Sequence, residues 1–543
     1  MKLVSKSLVL LISLMILAPA LAKSDKHCNE EVVKYVQANA APNGNGSKKH
    51  PFSSLAAAAL ATWDVLIVLP SVQALEGGIT LKPGQEIIGS CDPTGDISVS
   101  PQQATITTFS TTPNPVGITA TGNNVIKNIY FKNTWSSAIN YDNAVNLTVQ
   151  DCLITGHNQG NVKVPAGPFA GSLVGGIQGQ CSQSGEALIE HVIIRNNHAG
   201  PGIQDFPVNP AHRELIVCKC EFAQLNANGI TSEPIGGTTT GFSSVVVRDS
   251  YFHDFVGSGG FGFLCEPQNG SVQTVLIKDS AFSNINTFNI QGNPIYDTTN
   301  TAPAPELKIE IDTCSFENGT SVAIDITNKG ALKSKLFVEN SVSNNMSTFF
   351  VSRLLGGVQQ NRLCGNTATG GTFYEAKSEN PQSVERTELI RNCFTGPIGI
   401  KLDPTQPWTL LDITAECNCF FGTGTGSILF DTITSSPTPG AFNGLIKAHN
   451  NTFSGFATDI QDNGSGVNYL VSKNFWGTPT NTTPCSSTSP CPPYQTCEHG
   501  SCLGPIVPNP FLGKGSIDAR DPLTASIKCP CNCSFSTSGT PAP

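Results

Sequence analysis

One eight-residue phrase recurs along most of this chain and limits the folds that the chain can adopt. The phrase occupies residues 245–252 in one copy and 275–282 in another, thirty positions further on. Each copy is a β-branched or aliphatic run with one basic residue, followed by Asp-Ser, one variable position and Phe. Self-similarity at a spacing of roughly 20 to 50 residues is typical of architectures in which one unit stacks on the next. The sequence therefore predicts a stack of like units.

Looser copies of the phrase extend the pattern from about residue 125 to 476. They lie at 128–131, 151–154, 219–222, 313–316, 418–421, 450–453 and 473–476. A second short strand follows several copies, for example around Ile230, Phe263, Ile324 and Ile400. Because the short strands follow one another without a helical period between them, βαβ units are excluded. The remaining interpretation is one coil of a parallel β-solenoid per repeat.

Stacking of such coils places equivalent residues in columns, since neighbouring parallel strands lie about 4.8 Å apart. The Phe positions are then expected to form an aromatic stack inside the solenoid. The positions two residues earlier are expected to form an inward ladder of small polar groups that satisfies backbone groups where the strand turns. The residues assigned to this ladder are Cys152, Cys220, Ser250, Ser280, Cys314, Cys419, Asn451 and Asn474.

The repeated phrase and the later Gly-Ile strands resemble the right-handed parallel β-helix superfamily, the pectate-lyase-like fold. The opening segment, residues 42–55, 64–70 and 79–89, is similar to that of secreted and surface members, and the resemblance covers residues 40–480. It implies an all-β, single-stranded right-handed parallel β-helix over 101–480. It also implies an N-terminal cap over 23–100, with a short alanine-rich helix at 53–62 that plugs the open end. Because the superfamily includes lyases, hydrolases, epimerases, tailspikes and adhesins, the resemblance implies a fold and leaves the activity open.

Residues 1–22 are predicted to be a cleaved signal peptide. They combine Lys2 and Lys6 with an apolar run at 8–17 and the small-residue ending Ala20-Leu21-Ala22. The protein is therefore expected to be secreted or held at the cell surface, and no later apolar run is long enough for a spanning helix. A net charge of −9 without a basic stripe argues against nucleic acid as a partner.

Nineteen cysteines in a chain predicted to be exported suggest disulfide bonds. Cys28 and Cys91 are expected to bridge within the cap. Buried thiols are expected in or near the inward ladder, at Cys152, Cys220, Cys314, Cys393 and Cys419. The tail, residues 481–543, is interpreted as a Pro- and Ser-rich, disulfide-stapled module built on Cys485, Cys491, Cys497, Cys502, Cys529, Cys531 and Cys533. A zinc site is the alternative for the tail, although paired Cys-x-x-Cys knuckles are absent.

Two carboxylates are the candidate catalytic residues. If Ile230 and Phe263 point inward, alternation along the strand places Glu233 and Glu266 on the outer face in one column. Asp205, assigned to the preceding coil, is the third candidate. His198, His212 and Arg213 are the candidate binding residues because they lie nearby in sequence.

Stacked carboxylates can share a proton or hold a cation such as Ca²⁺, and the alternative is that they are solvated surface acids. No other cofactor or metal site is predicted. The leading hypothesis is an adhesin-like or structural protein that binds a polysaccharide, a cell-surface glycan or a protein partner. The alternative is a polysaccharide lyase or glycoside hydrolase, although the paired acid motifs of polygalacturonase-like enzymes and the Lys/Arg constellation of pectate lyases are missing.

Overall fold

A computed structural model describes residues 31–90 and 103–474, together with 496–498, 501–503 and 517–518. Within these ranges, residues 112–114, 143–145, 166–169, 209–211, 237–239, 258, 300, 320, 332, 433–443, 463–466 and 473 are not described. The predicted signal peptide, Cys28, Cys91 and most of the cysteine-rich tail lie outside the described residues. The described chain is a right-handed parallel β-helix, which confirms the solenoid predicted from the repeat and the fold implied by the resemblance.

Each coil contributes to three faces, and the first face is one 17-stranded sheet. Its strands pair in parallel with those of the neighbouring coils, so the sheet runs the length of the solenoid. The strands are Val33–Val36, Val65–Val68, Glu86–Gly89, Asn124–Lys127, Leu147–Gln150, Gly185–Glu190, His212–Cys218, Gly241–Arg248, Ser271–Lys278, Glu306–Asp312, Lys333–Glu339, Gly357–Cys364, Ser383–Ile390, Leu410–Glu416, Gly444–His449, Asn468–Ser472 and Ile517–Asp518.

The second and third faces share a 24-stranded sheet. Second-face strands are Leu75–Glu76, Thr105–Thr107, Tyr130–Lys132, Leu153–Thr155, Ile193–Arg195, Glu221–Ala223, Tyr251–His253, Ala281–Ser283, Ser315–Glu317 and Cys393–Gly396. Third-face strands are Ile79–Thr80, Ile118–Thr119, Ile139–Asn140, Ile177–Cys181, Ile203–Pro207, Ile230–Ser232, Phe261–Cys265, Phe288–Gly292, Val322–Asn328 and Ile398–Pro404. In four later coils one long strand serves both faces: Val342–Leu354, Thr367–Ser378, Cys419–Thr432 and Thr452–Asp462.

The corner between the first and second faces explains the Asp-Ser element of the repeat. Asp249 and Asp279 have φ values of 50° and 49°, the left-handed region that Asn and Asp tolerate better than most residues. The next residue points inward, and its side chain accepts a hydrogen bond from the backbone N–H one coil earlier. The backbone N of Ser250 lies 3.2 Å from Ser280 Oγ, and that of Asn392 lies 2.9 Å from Asn418 Oδ1. The predicted polar ladder is therefore confirmed.

The aromatic stack inside the solenoid is confirmed as well. Phe222, Phe252 and Phe282 are fully buried and stack nearly parallel, with ring centroids 4.6 and 4.7 Å apart. Such pairs add attraction beyond the area that they bury. Phe316 continues the column at 5.4 Å from Phe282. The repeat phrase therefore encodes the core directly.

The assignment of Cys419 to the ladder was wrong by one residue. Asn418 is the ladder residue of that coil, since its amide bonds those of Asn392 and Asn451. Cys419 instead begins the second-face strand, opposite Cys393 of the preceding coil. Cys393 and Cys419 are disulfide-bonded, so the expectation of free thiols at these two positions was wrong. The ladder positions Cys220 and Cys314 are free buried thiols, as expected.

The predicted capping helix is shorter than the alanine-rich segment suggested. It spans Leu55–Ala59, and the Ser54 side chain caps it by accepting from the N–H of Ala57 at 3.1 Å. Leu55 and Ala58 are fully buried in the core cluster that begins at the first coil. The helix therefore covers apolar surface near the start of the solenoid.

Three short strands of the tail are described, and one of them pairs with the solenoid. Thr496–Glu498 and Ser501–Leu503 form an antiparallel pair in which Cys497 stands opposite Cys502. Ile517–Asp518 pairs in parallel with Tyr469 and Leu470 and so extends the first face. Over the described part of the chain, no helix is long and apolar enough to cross a membrane.

Candidate functional site

Glu233 and Glu266 occupy the positions that the alternation argument gave them. Ile230 and Phe263 are register partners and are fully buried inside the solenoid. The ladder continues past the strand ends, because the N–H of Glu266 donates to Ser232 O at 3.0 Å. Both glutamates therefore lie in one outward column of successive coils, about 4.8 Å apart along the backbone. Each is half-buried.

The two glutamates have different surroundings. Glu266 accepts a hydrogen bond from Nδ2 of Asn293, the residue in the same column of the next coil. Burial, reinforced by the negative charge of Glu266, raises the pKa of Glu233 to about 8. Glu233 is then mostly protonated at neutral pH. A proton donor thus stands beside a second carboxyl group.

Asp205 does not belong to this column, which corrects the sequence interpretation. Its register partner is Ser232, and it points into the solenoid with no exposed surface. Oδ1 accepts a hydrogen bond from Tyr141 Oη at 2.9 Å and lies 3.7 Å from Arg213 Nε. Burial raises the pKa of Asp205, although Arg213 and Tyr141 oppose the shift. Asp205 is an internal structural acid and cannot meet a ligand at the surface.

The three candidate binding residues are separated as well. Arg213 is fully buried beside Asp205, with its guanidinium carbon 5.1 Å from the Tyr141 ring centroid. His212, one residue earlier, is exposed on the opposite side of the same strand, near Phe242. His198 is exposed in the loop before the strand Ile203–Pro207, where its Nε2 lies 3.4 Å from Asn161 Nδ2. Proximity in sequence therefore did not assemble a cationic site.

The loop predicted to wall the site does approach it. Residues 157–175, apart from 166–169, form a hairpin-like excursion with Lys163 opposite Leu173. Its Val164 and Val174 pack on Phe206, which fills the position of Glu233 in the preceding coil. The second predicted wall, residues 292–306, is anchored by reciprocal bonds between Asn269 and Asp297. The loop therefore covers the third face up to Phe206, and the column of outward acids begins one coil later, at Glu233.

Sequence reasoning missed further charged residues on the outer side of the third face. Asp325 is aligned with Gln291 of the preceding coil. Glu375 lies two coils after Asp325 and Lys401 three coils after it, and Glu375 and Lys401 are register partners. Lys401 Nζ binds Glu375 Oε1 at 2.7 Å, and Lys377 Nζ lies 3.3 Å from the same oxygen. We call the outward residues Glu233, Glu266, Asn293, Asp325, Thr327, Arg353, Glu375, Lys377 and Lys401 the third-face strip.

The signal for these residues was present in the sequence. Ile324 and Ile400 were recognised as second strands, and both are fully buried and point inward. Alternation makes the residues that follow them, Asp325 and Lys401, outward-facing. Extending the column argument beyond Glu266 would therefore have found them.

The described residues hold no group of three or more His, Cys, Asp or Glu side chains placed to bind a metal ion.

Comparisons with known proteins gave fold-level similarities only. No protein-family model matches the chain, and no curated protein matches it significantly. One similar solved structure is the catalytic unit of a GH87 alpha-1,3-glucanase from Streptomyces thermodiastaticus, with 12% identity, TM-score 0.33 and coverage of 74% of this chain and 69% of that one. Another is a tailspike protein of E. coli bacteriophage HK620 in complex with pentasaccharide, with 11% identity, TM-score 0.35 and coverage of 74% and 71%.

A third similar structure is a DFA-IIIase from Arthrobacter chlorophenolicus in complex with DFA-III. It shares 8% identity at a TM-score of 0.32, and the match covers 79% of this chain and 95% of that one. A shared fold at such identities does not carry a shared activity. The function of this chain has to be argued from its own residues.

Proposed function

We propose that the protein binds carbohydrate along the third-face strip and acts outside the cell. The observation that supports the proposal is the register of the outward polar residues. Glu233, Glu266 and Asn293 point outward from three successive coils. Carboxylates and amides repeated at about 4.8 Å offer hydrogen-bond partners to the hydroxyls of an extended sugar chain.

In this proposal the protein is adhesin-like and holds a glycan or a glycosylated partner. Residues 1–22 are proposed to direct its export, which would make it secreted or associated with the cell surface. Glu233, Glu266 and Asn293 each directly follow a third-face strand, and backbone hydrogen bonds such as that from Glu266 N–H to Ser232 O hold this part of the strip in place before a ligand arrives. Preorganisation of this kind lowers the entropic cost of binding.

The proposal is tested with the mature protein and a panel of neutral, amino-bearing and uronic-acid polysaccharides. The double variant Glu233→Gln/Glu266→Gln preserves shape and removes both carboxyl groups. We expect its affinity for the best ligand to fall by about tenfold or more, with an unchanged thermal midpoint. The matched control is Glu388→Gln/Glu416→Gln, two exposed acids of the first face. A folded double variant that keeps full affinity would leave Glu233 and Glu266 with a structural role only.

The raised pKa of Glu233 favours a second candidate, a glycoside hydrolase. A protonated carboxyl can act as general acid while its neighbour acts as nucleophile, and the coil spacing is close to the roughly 5–5.5 Å typical of retaining enzymes. Turnover would appear as new reducing ends, whereas a lyase would give an unsaturated product. The rate of glycoside hydrolysis should fall as pH rises through about 8, because Glu233, the general acid, then loses its proton. Absence of product from every polysaccharide that binds would exclude an enzyme acting on those polysaccharides and leave the binding proposal standing.

A further inference from the structure

The third face is closed immediately before the first outward glutamate. Phe206 points outward, because its neighbour Asp205 points inward, yet Phe206 has no exposed surface. Val164 and Val174 of the hairpin-like loop pack on it from outside the solenoid. An outward side chain is fully buried only where another part of the chain covers the sheet. A ligand therefore cannot occupy the outward position that precedes Glu233 in the column.

The covering loop is held in place by hydrogen bonds at its base and between its arms. Asn158 Oδ1 accepts from the N–H of Val162 at 2.6 Å, and its Nδ2 donates to the backbone oxygens of Val162 and Val174, both at 3.2 Å. Across the loop, the N–H of Val164 donates to Ser172 O at 2.8 Å. These bonds tie both arms to one anchored side chain. The loop is therefore a fixed wall at this end of the column.

The accessible part of the column is short. Glu233 and Glu266 are half-buried, whereas Asn293 and Thr327, which follow them in the next two coils, are each only 7% exposed. The two accessible carboxyl groups therefore occupy two coils, which span about 10 Å along the solenoid. A glycan that lies along the column has to end at the wall on Phe206.

We propose that the strip binds the end of a glycan chain, with the terminal sugar beside Glu233 and against the wall formed by Val164, Val174 and Phe206. This inference rests on the proposed carbohydrate binding and specifies which part of the glycan is recognised. A terminal sugar carries a free hydroxyl at the position where every interior sugar carries a glycosidic oxygen. The hydroxyl can donate a hydrogen bond to a carboxyl oxygen, and the glycosidic oxygen cannot. Glu233 and Glu266 can therefore distinguish a chain end from a chain interior.

The test counts the protein molecules that bind to one glycan chain. The probes are length-fractionated oligomers of amylose, chitosan and polygalacturonate, one from each class of the polysaccharide panel. If another polysaccharide of the panel binds instead, oligomers made from it by partial hydrolysis take their place. Sedimentation at saturating protein gives the mass of the complex. We expect one protein molecule per chain at every length, whereas a site for interior sugars would bind more molecules as the chain becomes longer.

Oligomers with modified ends identify the end that enters the site. Borohydride reduction opens the sugar ring at the reducing end, and methylation of the terminal 4-hydroxyl blocks the other end. We expect one of these two changes to weaken binding by about tenfold. A number of bound molecules that rises with chain length, or binding that neither change weakens, would overturn this inference and leave the proposed carbohydrate binding intact. Failure of every oligomer and of the whole panel would overturn both.

Val164→Ser/Val174→Ser should open the wall. It replaces the apolar contacts with Phe206 by hydroxyl groups and leaves the charge unchanged, so interior sugars should gain access and long chains should carry more than one protein molecule. The control is Lys163→Ser, at an exposed position on the same arm, which should keep one molecule per chain. A folded double variant that still binds one molecule per chain would show that these residues do not form the wall. If the double variant does not fold, the counts and the modified ends measured with the unaltered protein still decide the question.

Discussion

Ionisable side chains inside the solenoid are paired across long stretches of sequence. Asp205 is bonded to Tyr141 and faces Arg213, all three buried. Further along the solenoid, Glu385 accepts hydrogen bonds from Tyr374 Oη and from Asn361 Nδ2, the latter at 3.1 Å. Buried charges and polar groups of this kind are tolerated only where partners are supplied. The partners come from other coils, so the stack itself holds these groups.

Replacing Arg213 should destabilise the protein strongly. In Arg213→Met the Asp205 carboxyl loses its counter-charge, and breaking a buried pair by removing one partner costs about 3–5 kcal/mol. We expect a lower midpoint of urea unfolding, followed by circular dichroism. The neighbouring His212→Ala, at an exposed position on the same strand, is the control and should leave the midpoint nearly unchanged.

The companion double variant separates lost charge from lost packing. Adding Asp205→Asn to Arg213→Met removes the unpaired charge, so part of the stability should return. A single variant as stable as the original protein would show that the pair contributes little.

Glu385 should make stability depend on pH. Burial raises its pKa from 4.5 to about 7 in the folded protein. Between these two values the unfolded chain has released the proton while the folded chain keeps it, so the contribution of Glu385 to stability is fully present below about 4.5 and is lost as pH rises through about 7. Removing the ionisable group in Glu385→Gln should therefore raise stability at pH 8 relative to the original protein, by at most about 3 kcal/mol.

Urea midpoints measured at several pH values test this directly. The control is Glu388→Gln, an exposed acid on the same strand, which should leave the pH dependence in place. An identical pH dependence in Glu385→Gln and the original protein would contradict the assignment.

At the scale of single elements, a ladder of buried asparagines supplies hydrogen bonds to the backbone at the corner between the first and second faces. Its members are Asn366, Asn392, Asn418, Asn451 and Asn474. Asn392 Oδ1 accepts from the backbone N–H of Asn366 at 3.1 Å, and its Nδ2 donates to Leu363 O at 2.9 Å. One side chain therefore satisfies two buried backbone groups in the preceding coil. The same arrangement recurs at Asn418 and Asn451.

Asn392→Ala should loosen the corner between the first and second faces. It leaves a buried N–H and a buried C=O without their partners, and each unsatisfied group costs about 1–3 kcal/mol. Hydrogen exchange measured by mass spectrometry should show faster exchange at Asn366 and in the neighbouring coils. Gln382→Ala, which changes an exposed residue outside the left-handed region, is the control. Unchanged protection at Asn366 would show that the ladder bond is dispensable.

The sequence predicts these elements well because each repeat contains the residues that determine its own strand, corner and core position. A β-branched run predicts the first-face strand, the Asp or Asn that follows it takes the left-handed corner, and Phe points inward. The prediction failed by one residue at Cys419, where Asn418-Cys419-Phe420-Phe421 offers two possible alignments to the Phe column. The register to Phe394 and Phe453 selects Phe420. Which of Phe420 and Phe421 joins the Phe column depends on pairing with the neighbouring coils, so one repeat alone does not determine it.

At the scale of the whole molecule, the candidate site depends on register across many coils. Glu233 and Glu266 were aligned correctly because Ile230 and Phe263 marked the inward position in each coil. Asp205 was misplaced because the equivalent marker, Ile203, was not used, and alternation from Ile203 directs Asp205 inward. The raised pKa of Glu233 depends on burial, which no local pattern reports.

The end of the solenoid offers the last test, because the tail contributes a strand to it. Ile517 and Asp518 pair with Tyr469 and Leu470, which covers part of the edge of the strand Asn468–Ser472. An uncovered edge strand presents unpaired N–H and C=O groups to other chains. A chain that stops after residue 480 should therefore keep the β-rich circular dichroism of the full protein but self-associate as its concentration rises.

Sedimentation velocity over a range of concentrations measures this association. The matched control is a chain that stops after residue 520, which retains the strand Ile517–Asp518 and should sediment as the full protein does. If both truncated chains behave alike, the strand does not protect the edge. If the shorter chain also loses its β-rich spectrum, the strand is needed to hold the last coils together, because an uncovered edge alone would leave the coils folded.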